Sequence, residues 1–559
     1  MQDKNYNFMS FHISSITQLI KGMGINKKLI FSLLPVYYLA TILNAFIGSI
    51  MLLLVVDIFT VSSSQIEDSN LPYFILKFID IVGSSRDFPD ILYLLVSILG
   101  LNLFLRFSIL AFDGIIAASI RRHLQETIFK NILFGNWSET RNIRVGDTVG
   151  TNTQEAFSVV KYLSSVILAI YFILSSIVLL LMAFSTDIYI AFFIVILSIP
   201  FIFLLFKAFS IQTNLSKEFV MLRNKFSGDI TERFNGLLQV NVDNNDDYHF
   251  NQGIRVQKRL TRVDVLIGYC QAFIGSFKQV VLFFSIIFLL IFMYLSSYEY
   301  TIDLALIASV SALVGAAASQ LNGSISHLGN LSRLAGSLYP VLNALKVPSS
   351  INKNLINEKV ISVTCQDLSY SYGVNKVIEN ITLSANIGKL LNISGQSGKG
   401  KTTLINIIAG LYSPESGRVI YEGISGKKYL SNNFHGNVGY VTQDVHLFGG
   451  SLRSNLLAGR NVSDKEIWSV LDKVGASDFV KEMGGIDIET LEAGRSLSGG
   501  QKRRLGIARV LISGCNILIL DEITSGLDKI NKDAIFLLLK ELSKSNVVII
   551  ISHESLGLL

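Results

Sequence analysis

Cysteine is scarce in this sequence, with three in 559 residues, at Cys270, Cys365 and Cys515. They lie far apart, with no CxxC pair and no histidine partner. A disulfide framework and a zinc site are therefore not expected, while a reduced cytoplasmic setting is compatible. Charge is scarce too: charged residues are 16% of the chain and the net charge is only +6. No basic tract interleaved with aromatics occurs, so no nucleic-acid partner is expected. What fills the space is apolar. Half of the residues are hydrophobic and mean hydropathy is +0.48, too high for an ordinary soluble enzyme of this size. The length accommodates two or three domains.

The apolar residues crowd into the first 345 positions. Runs of spanning length lie at about 29–56, 91–112, 159–184, 188–206, 265–295 and 303–326, six in all. The first has no small-residue cleavage site behind a short apolar core, so it reads as a retained helix and not a signal peptide. Ahead of it Phe11, Ile16, Leu19, Ile20 and Met23 recur at helical spacing, followed by Lys27 and Lys28. That pattern predicts a short amphipathic helix at the membrane surface. Lys27, Lys28, Arg121, Arg122, Arg141, Arg144, Lys207, Arg223, Lys258 and Arg333 fall on one side of the spans. Asp57, Glu67, Asp68, Asp80, Asp87, Asp90, Asp187 and Glu299 fall on the other. The positive-inside rule puts the basic side, both termini and everything after the sixth span in the cytoplasm. On that side residues 113–158 and 207–264 are polar and helix-patterned. Helices continued through them at about 1.5 Å per residue project well beyond the bilayer.

Charges inside spans are costly and mark functional candidates. Arg106 sits in span two and Lys278 near the middle of span five, with Asn44, Asn102, Gln271, Gln279, Gln320 and Asn322 as polar companions. Arg106 and Asp113, seven residues apart, share one helical face. Two readings stay open for Arg106 and Lys278. One is a water-filled cavity that takes a polar or anionic part of a substrate; the other is interhelical pairing that holds a bundle together. The amides fit the second better.

After Leu345 the text changes. "KVPSSINKNLINE" is a polar linker, and from Val360 short β-rich runs alternate with helices, the pattern of an α/β domain with a parallel core sheet. In "LLNISGQSGKGKTTLINIIAG" a strand ends in Gly395, Gln396, Ser397, Gly398, Lys399, Gly400, Lys401 and Thr402, and Thr403 begins an apolar helix. This is GxxxxGK[ST] between strand and helix. Backbone N–H groups wrap phosphates, Lys401 reaches the β- and γ-phosphates, and Thr402 ligates Mg²⁺. In "CNILILDEITSGLD" a buried strand ends at Asp521, where Mg²⁺ is expected, and Glu522 beside it can orient or deprotonate an attacking water. "NVVIIISHE" is another buried strand, ending at His553, a candidate γ-phosphate contact. "RSLSGGQKRRLGIARVL" opens a helix on Ser498 and two glycines, presenting bare N–H groups to an anion.

Phosphate loop, Gln443 after the strand of "VGYVTQD", "LSGGQ" from Leu497 to Gln501, "ILILDE", "SGLD" and "SH", in this order, resemble the nucleotide-binding domain of ABC transporters. Six preceding spans with long cytoplasmic extensions resemble the exporter-type half-transporters, and the likeness covers nearly the whole chain. It implies a multi-domain membrane protein. An all-α six-helix transmembrane domain with long cytoplasmic helical extensions is followed by an α/β P-loop nucleotide-binding domain. The expected boundaries are an elbow helix at 1–28, the transmembrane domain at 29–345, a linker at 346–358 and the nucleotide domain at 359–559.

The resemblance assigns further roles. Tyr372 matches the aromatic that stacks on adenine, and Gln443 the residue that links Mg²⁺ to the surface facing the membrane helices. Ser498 and Gly500 match the signature contacts to the γ-phosphate, held across from the phosphate loop of a second copy. Asp528 matches the loop that communicates across the dimer, and Glu492 stands near a glutamate that contacts the intracellular helices. The implied ligands are ATP and Mg²⁺, and the implied assembly a homodimer with two competent sites, a heterodimer remaining open. Lys399 departs from the small residue more usual there. The chain stops six residues after His553, where the family runs on with further strands and a helix, so an exposed apolar edge is expected.

Only about 28 residues precede the first span, so the peptidase domain of some bacteriocin exporters, and with it leader cleavage, is not expected. Low proline and Asn/Ile/Lys-rich usage fit a bacterial chain, hence a cytoplasmic (inner) membrane location. As cargo the resemblance places a small or modified peptide first, and a lipid or hydrophobic drug second. Import, or an ATP-binding membrane sensor that moves nothing, stays open.

Overall fold

The computed structural model describes residues 8–23, 27–60, 88–135, 137–140, 148, 150–186, 188–243, 245–296, 304–346, 354–356, 358–396, 398–431, 434–435, 438–490, 497–523 and 529–552. The side chains at 188–205 and 277–311 lie outside what it describes. The chain divides into two compact units. One holds Met1–Leu133 and Asn142–Pro348, the other Phe134–Arg141 and Ser349–Leu559.

The first unit is helical. In chain order it has α1 (Phe8–Met23), α2 (Lys27–Thr60) and α3 (Phe88–Leu133); α4 (Trp137–Thr140), next in sequence, falls in the second unit. It continues with a π-helical turn at Thr151–Glu155, α5 (Ala156–Thr186), α6 (Ile188–Asn235), α7 (Leu237–Val242), α8 (Asp246–Ser296), α9 (Leu304–Leu334) and α10 (Leu338–Lys346). Among the described residues three segments are long and apolar enough to cross a membrane: Tyr37–Leu54, Leu92–Leu133 and Thr151–Ser185. The spans expected at about 188–206, 265–295 and 303–326 lie on the helical backbones of α6, α8 and α9, with most of their side chains outside the described set.

Helices α3, α6 and α8 run for 46, 48 and 51 residues. A bilayer core needs only about 20, so each continues well past the membrane, as the polar helix-patterned stretches predict. Among the described residues a small core of Ala208, Phe209 and Ile274 joins α6 to α8, and two larger cores gather the other helices. One gathers Ile50, Leu53, Leu54, Ile98, Leu179, Ala183, Leu313 and Ala317 from α2, α3, α5 and α9. The other gathers Leu19, Ile120, Leu124, Ile128, Val159, Tyr162, Leu331, Leu338 and Val341. Leu19 and His12 thus tie α1 to the helical extensions. His12 Nδ1 lies 2.6 Å from the Tyr162 hydroxyl, and burial, then the charge of Lys217, pull its pKa down to about 4. Within the π-helical turn Glu155 is buried and ion-paired with Arg223 of α6.

Among the described residues the second unit carries two four-stranded sheets. Strands β2 (Val360–Tyr372), β3 (Asn375–Asn386), β5 (Ser416–Gly423) and β6 (Lys428–Leu430) form an antiparallel sheet in the order β3-β2-β5-β6. Strands β4 (Leu390–Ser394), β8 (Val438–Val441), β11 (Ile517–Asp521) and β12 (Val547–Ser552) form a parallel one in the order β4-β12-β11-β8. Short pairs β1 (Asn354–Leu355) with β7 (Phe434–His435), and β9 (Gly450–Ser451) with β10 (Glu489–Thr490), complete the strands described.

Every residue of β11 and β12 is buried, because helices or sheet cover both faces of a parallel sheet and select continuous apolar runs. Alternate side chains serve different cores. Ile517, Ile519, Val547, Ile549 and Ile551 pack towards the antiparallel sheet and α11 (Lys401–Ile408). Leu518, Leu520, Val548 and Ile550 pack against α12 (Leu452–Leu457), α13 (Asp464–Lys473), α14 (Ser477–Glu482), α15 (Gly499–Ile512) and α16 (Lys529–Ser543).

Candidate nucleotide site

Four parallel strands end on one edge of the sheet, and that edge is where the sequence places its chemistry. The register sets Ser394, the end of β4, beside Ser552 of β12, and Ile551 beside Asp521 of β11. Leu520 sits beside Val441 of β8, so the loops that follow all four strands leave from the same side. Carboxyl ends of parallel strands are where open α/β sheets hold ligands, because helix N-termini converge there.

The phosphate loop leaves β4 and enters α11. Gly398 and Gly400 have φ of 81° and 80°, the left-handed region that a side chain disfavours, and Gly400 caps α11. A Cβ on Gly400 would stand 2.8 Å from Val377 Cγ1 and 2.9 Å from the Val377 carbonyl oxygen, too close for either. Open space surrounds the Cβ positions of Gly395 and Gly398, so the loop backbone is accessible where a phosphate is to approach. The Lys401 ammonium donates to the carbonyls of Gly395 (2.7 Å) and Gln396 (2.9 Å). It folds across its own loop, holding positive charge over the concavity.

The acidic wall faces this loop. Asp521 is almost wholly buried, takes a hydrogen bond from the Tyr440 hydroxyl at 3.4 Å, and interacts with the Thr402 hydroxyl and the Lys401 charge. Burial, and then the neighbouring charge of Glu522, push its carboxyl above the usual aspartate range. Two carboxylates held side by side repel, and a cation between them relieves that cost. Asp521, Thr402 and the amide oxygen of Gln443 are hard oxygen donors of the kind Mg²⁺ prefers, so the residues present fit the ion.

Glu522 has φ of 49°, rare for a side chain of this size. Such strain persists only where surrounding bonds impose it. Here the Glu522 N–H donates to the Ile551 carbonyl (3.2 Å) and the Gln443 amide donates to Glu522 Oε2 (2.9 Å). The carboxylate is thereby aimed into the site.

Asp521 also makes a testable statement about pH. Its raised pKa means that its charge costs the fold stability at neutral pH, a cost that disappears as pH falls through the raised value. The same protonation removes a Mg²⁺ ligand. Mg²⁺-dependent ATP affinity is therefore expected to fall on acidification from pH 7.5 before the usual carboxylate range is reached. Calorimetric titrations at successive pH values would record it, and Asp521→Asn should flatten the profile.

The remaining predicted residues divide. Tyr372 lies beside the loop, its hydroxyl 3.3 Å from Thr403 Oγ1, and its ring meets Tyr412 edge-on at 6.1 Å while Tyr370 stacks on Tyr412. Ser498 and Gly500 stand at the N-terminus of α15, where the Ser498 hydroxyl accepts from the Gln501 N–H in a capping box. Among the described residues no hydrogen bond joins them to the phosphate loop. Ser397, Glu492, Asp528 and His553 lie outside the described residues. Sequence reasoning missed Tyr440, Tyr370, Tyr412 and Val377. The signal for Tyr440 is its alternation in "VGYVTQD" with the buried Gly439 and Val441.

Comparison with known proteins follows the same outline. Residues 378–525 match the ABC transporter family model. An ATP-dependent lipid A-core flippase of Francisella tularensis is 35% identical over 196 residues, 34% of this chain and 32% of the relative. The matched stretch thus spans about a third of the flippase. An export ATP-binding/permease protein of Rickettsia typhi is 26% identical over 473 residues, 78% of each chain. An ABC transporter ATP-binding protein of Bacillus subtilis, YwjA, is 37% identical over 196 residues, 34% of each.

Proposed function

We propose, for a chain that belongs to the ABC transporters and is built as an exporter-type half-transporter, that ATP binding and hydrolysis drive export of a lipid-like amphiphile across a bacterial cytoplasmic membrane. The observation that carries the reading is the convergence of Lys401, Thr402, Asp521, Gln443 and Glu522 on one sheet edge, in a chain that also has helices of spanning length.

The loop N–H groups and Lys401 hold the β- and γ-phosphates, and Tyr372 offers its ring to adenine. Thr402, Asp521 and Gln443 are the residues that hold Mg²⁺. The ion, when bound, neutralises charge on the phosphate oxygens. Glu522, positioned by Gln443, accepts a proton from the attacking water, and His553 contacts the γ-phosphate. Ser498 and Gly500 serve the nucleotide of a second copy. Their separation from the phosphate loop in sequence, and Ser498's local capping role, suit a site completed by dimerisation. In this reading the transmembrane domain is 29–345, the linker 346–358 and the nucleotide domain 359–559, with Phe134–Arg141 grouped in the second compact unit. ATP closes two nucleotide domains and hydrolysis reopens them, so each nucleotide state biases a two-state bundle.

The cargo shifts from the peptide favoured by sequence alone. The flippase relatives are named for a lipid, which supports a lipid-like cargo. The test is ATP-dependent movement of a headgroup-labelled fluorescent lipid in sealed proteoliposomes, with steady-state hydrolysis followed in parallel. Movement that needs ATP and stops with vanadate supports export. Hydrolysis without movement of any lipid or peptide offered overturns it in favour of a sensor.

A further inference from the structure

Three helices of the first unit carry polar residues at matched intervals. On α2 these are Tyr37 and Asn44, on α3 Asp113 and Arg106, and on α5 Ser164 and Tyr171. Each pair is seven residues apart, two helical turns or about 10 Å of rise. The contacts run level across the helices. Ser164 hydrogen-bonds Asp113, whose charge also acts on the Tyr37 hydroxyl. Two turns away Asn44 hydrogen-bonds Tyr171, whose hydroxyl feels the charge of Arg106. Asn102 donates to the Asn44 carbonyl at 3.0 Å and ties α3 to α2 at that level. Packing of Tyr37, Ile109 and Tyr171 against Phe112, Ile167 and Phe172 fills the space between the rungs.

The ladder therefore has an anionic rung of Asp113, Ser164 and Tyr37, and a cationic rung of Arg106, Tyr171 and Asn44. Neither is saturated. Tyr37 and Asn44 are 4% and 6% exposed, yet the Tyr37 hydroxyl and Asn44 Oδ1 have no hydrogen-bond partner, nor has Asp113 Oδ1. No ion pair joins Arg106 to Asp113 among the described residues. Arg106 is exposed on α3 between Phe104 and Phe107, which are 66% and 71% exposed. A guanidinium on an apolar face at membrane depth has to meet a polar group, and buried unpaired polar atoms likewise call for partners. A set that merely held helices together would pair its own charges. This one leaves both signs available, two turns apart.

We propose that the ladder is a headgroup subsite for a zwitterionic lipid, with the phosphate at Arg106 and the amine at Asp113; the assignment rests on the exporter reading above. The direction agrees with the orientation given by the positive-inside rule. Span two runs from the outer side inwards, so Asp113 lies nearer the cytoplasm and Arg106 deeper. In a lipid of the cytoplasmic leaflet the amine is the outermost group and the phosphate lies beneath it. A lipid entering sideways thus presents each charge to the opposite one. Tyr37 and Asn44 supply neutral hydrogen bonds at the two levels, and Phe104 and Phe107 offer apolar contact beside them for acyl chains.

Binding is measured without nucleotide on the full chain in detergent micelles, by displacement of a spin-labelled phosphatidylethanolamine. The competitors are phosphatidylethanolamine, phosphatidylhexanolamine with its longer amine arm, phosphatidylglycerol and a dialkyldimethylammonium. The two zwitterions are expected to displace the label at concentrations roughly tenfold lower than either singly charged amphiphile, the scale of one charge-assisted hydrogen bond. Asp113→Asn should abolish the preference over phosphatidylglycerol, and Arg106→Gln the preference over the dialkyldimethylammonium. Arg106→Lys and Asp113→Glu should keep both preferences, which separates lost charge from lost folding. Equal displacement by all four amphiphiles, or preferences unchanged in the neutral variants, overturns the subsite. Tighter displacement by a short apolar peptide with free termini overturns the lipid assignment. Because no ATP is present, charge-selective binding can stand while the proteoliposome test fails, and the two failures are told apart.

Discussion

Glu522→Gln is expected to lower steady-state ATP hydrolysis by about 10²–10⁴-fold, the usual contribution of a positioned general base. ATP affinity should change little, because the phosphate loop, Lys401 and Asp521 remain. The geometry makes the loss specific. Glu522 is held at φ 49° by its N–H bond to Ile551 and receives the Gln443 amide at 2.9 Å. The glutamine is nearly the same size and occupies the same place, but it accepts no proton. The measurement is hydrolysis in lipid nanodiscs beside equilibrium binding of a fluorescent ATP analogue. Residual turnover above a tenth of wild type would move the base elsewhere. Equal loss of binding and turnover would make Glu522 a structural residue. Gln443→Ala forms the natural companion, since it removes the amide that positions Glu522 and should show a smaller loss of turnover.

Gly400→Ala is expected to weaken ATP binding by tenfold or more while leaving the second unit folded. At φ 80° the added methyl costs roughly 1–2 kcal/mol of backbone strain. It also meets Val377, with Cγ1 at 2.8 Å and the carbonyl oxygen at 2.9 Å. The side-chain atom can turn away, but the carbonyl belongs to β3 and cannot move without disturbing its pairing. The strain therefore falls on the loop, which shifts and misaligns the N–H groups meant for the phosphates. Gly398→Ala separates the two causes. It carries the same left-handed strain, φ 81°, with open space around the new methyl, so its loss should be distinctly smaller. Circular dichroism and thermal unfolding of each variant report whether the fold survives. Equal affinities for Gly398→Ala and Gly400→Ala would show that close approach to Val377 is unimportant.

Much of this site could be read residue by residue. "GQSGKGKT" between an apolar strand and an apolar helix is a local statement, since the glycines, the lysine and the helix start are all neighbours in the chain. "ILILDE" is likewise local, four apolar residues that bury a strand and then two acids at its end. The long extensions of α3, α6 and α8 followed from polar stretches with helical spacing. Ser498 shows the other case. Its place before two glycines suggested an anion contact, yet in the folded chain its hydroxyl also caps its own helix. The sequence pattern is the same for both uses.

Spanning-length helices, a phosphate loop and a strand-end acid pair are each written in a short stretch, because periodicity, apolar runs and glycine spacing act over a few residues. The order β4, β12, β11, β8 exists only in the folded sheet, where Lys401, Asp521 and Gln443, more than a hundred residues apart at the extremes, meet on one edge. Folding likewise brings the Tyr440 hydroxyl to Asp521 and sets the seven-residue intervals on α2, α3 and α5 level. The physical reason is common to all three. Pairing between distant strands and packing between long helices are selected by burial summed over the whole unit, and no short stretch carries that sum.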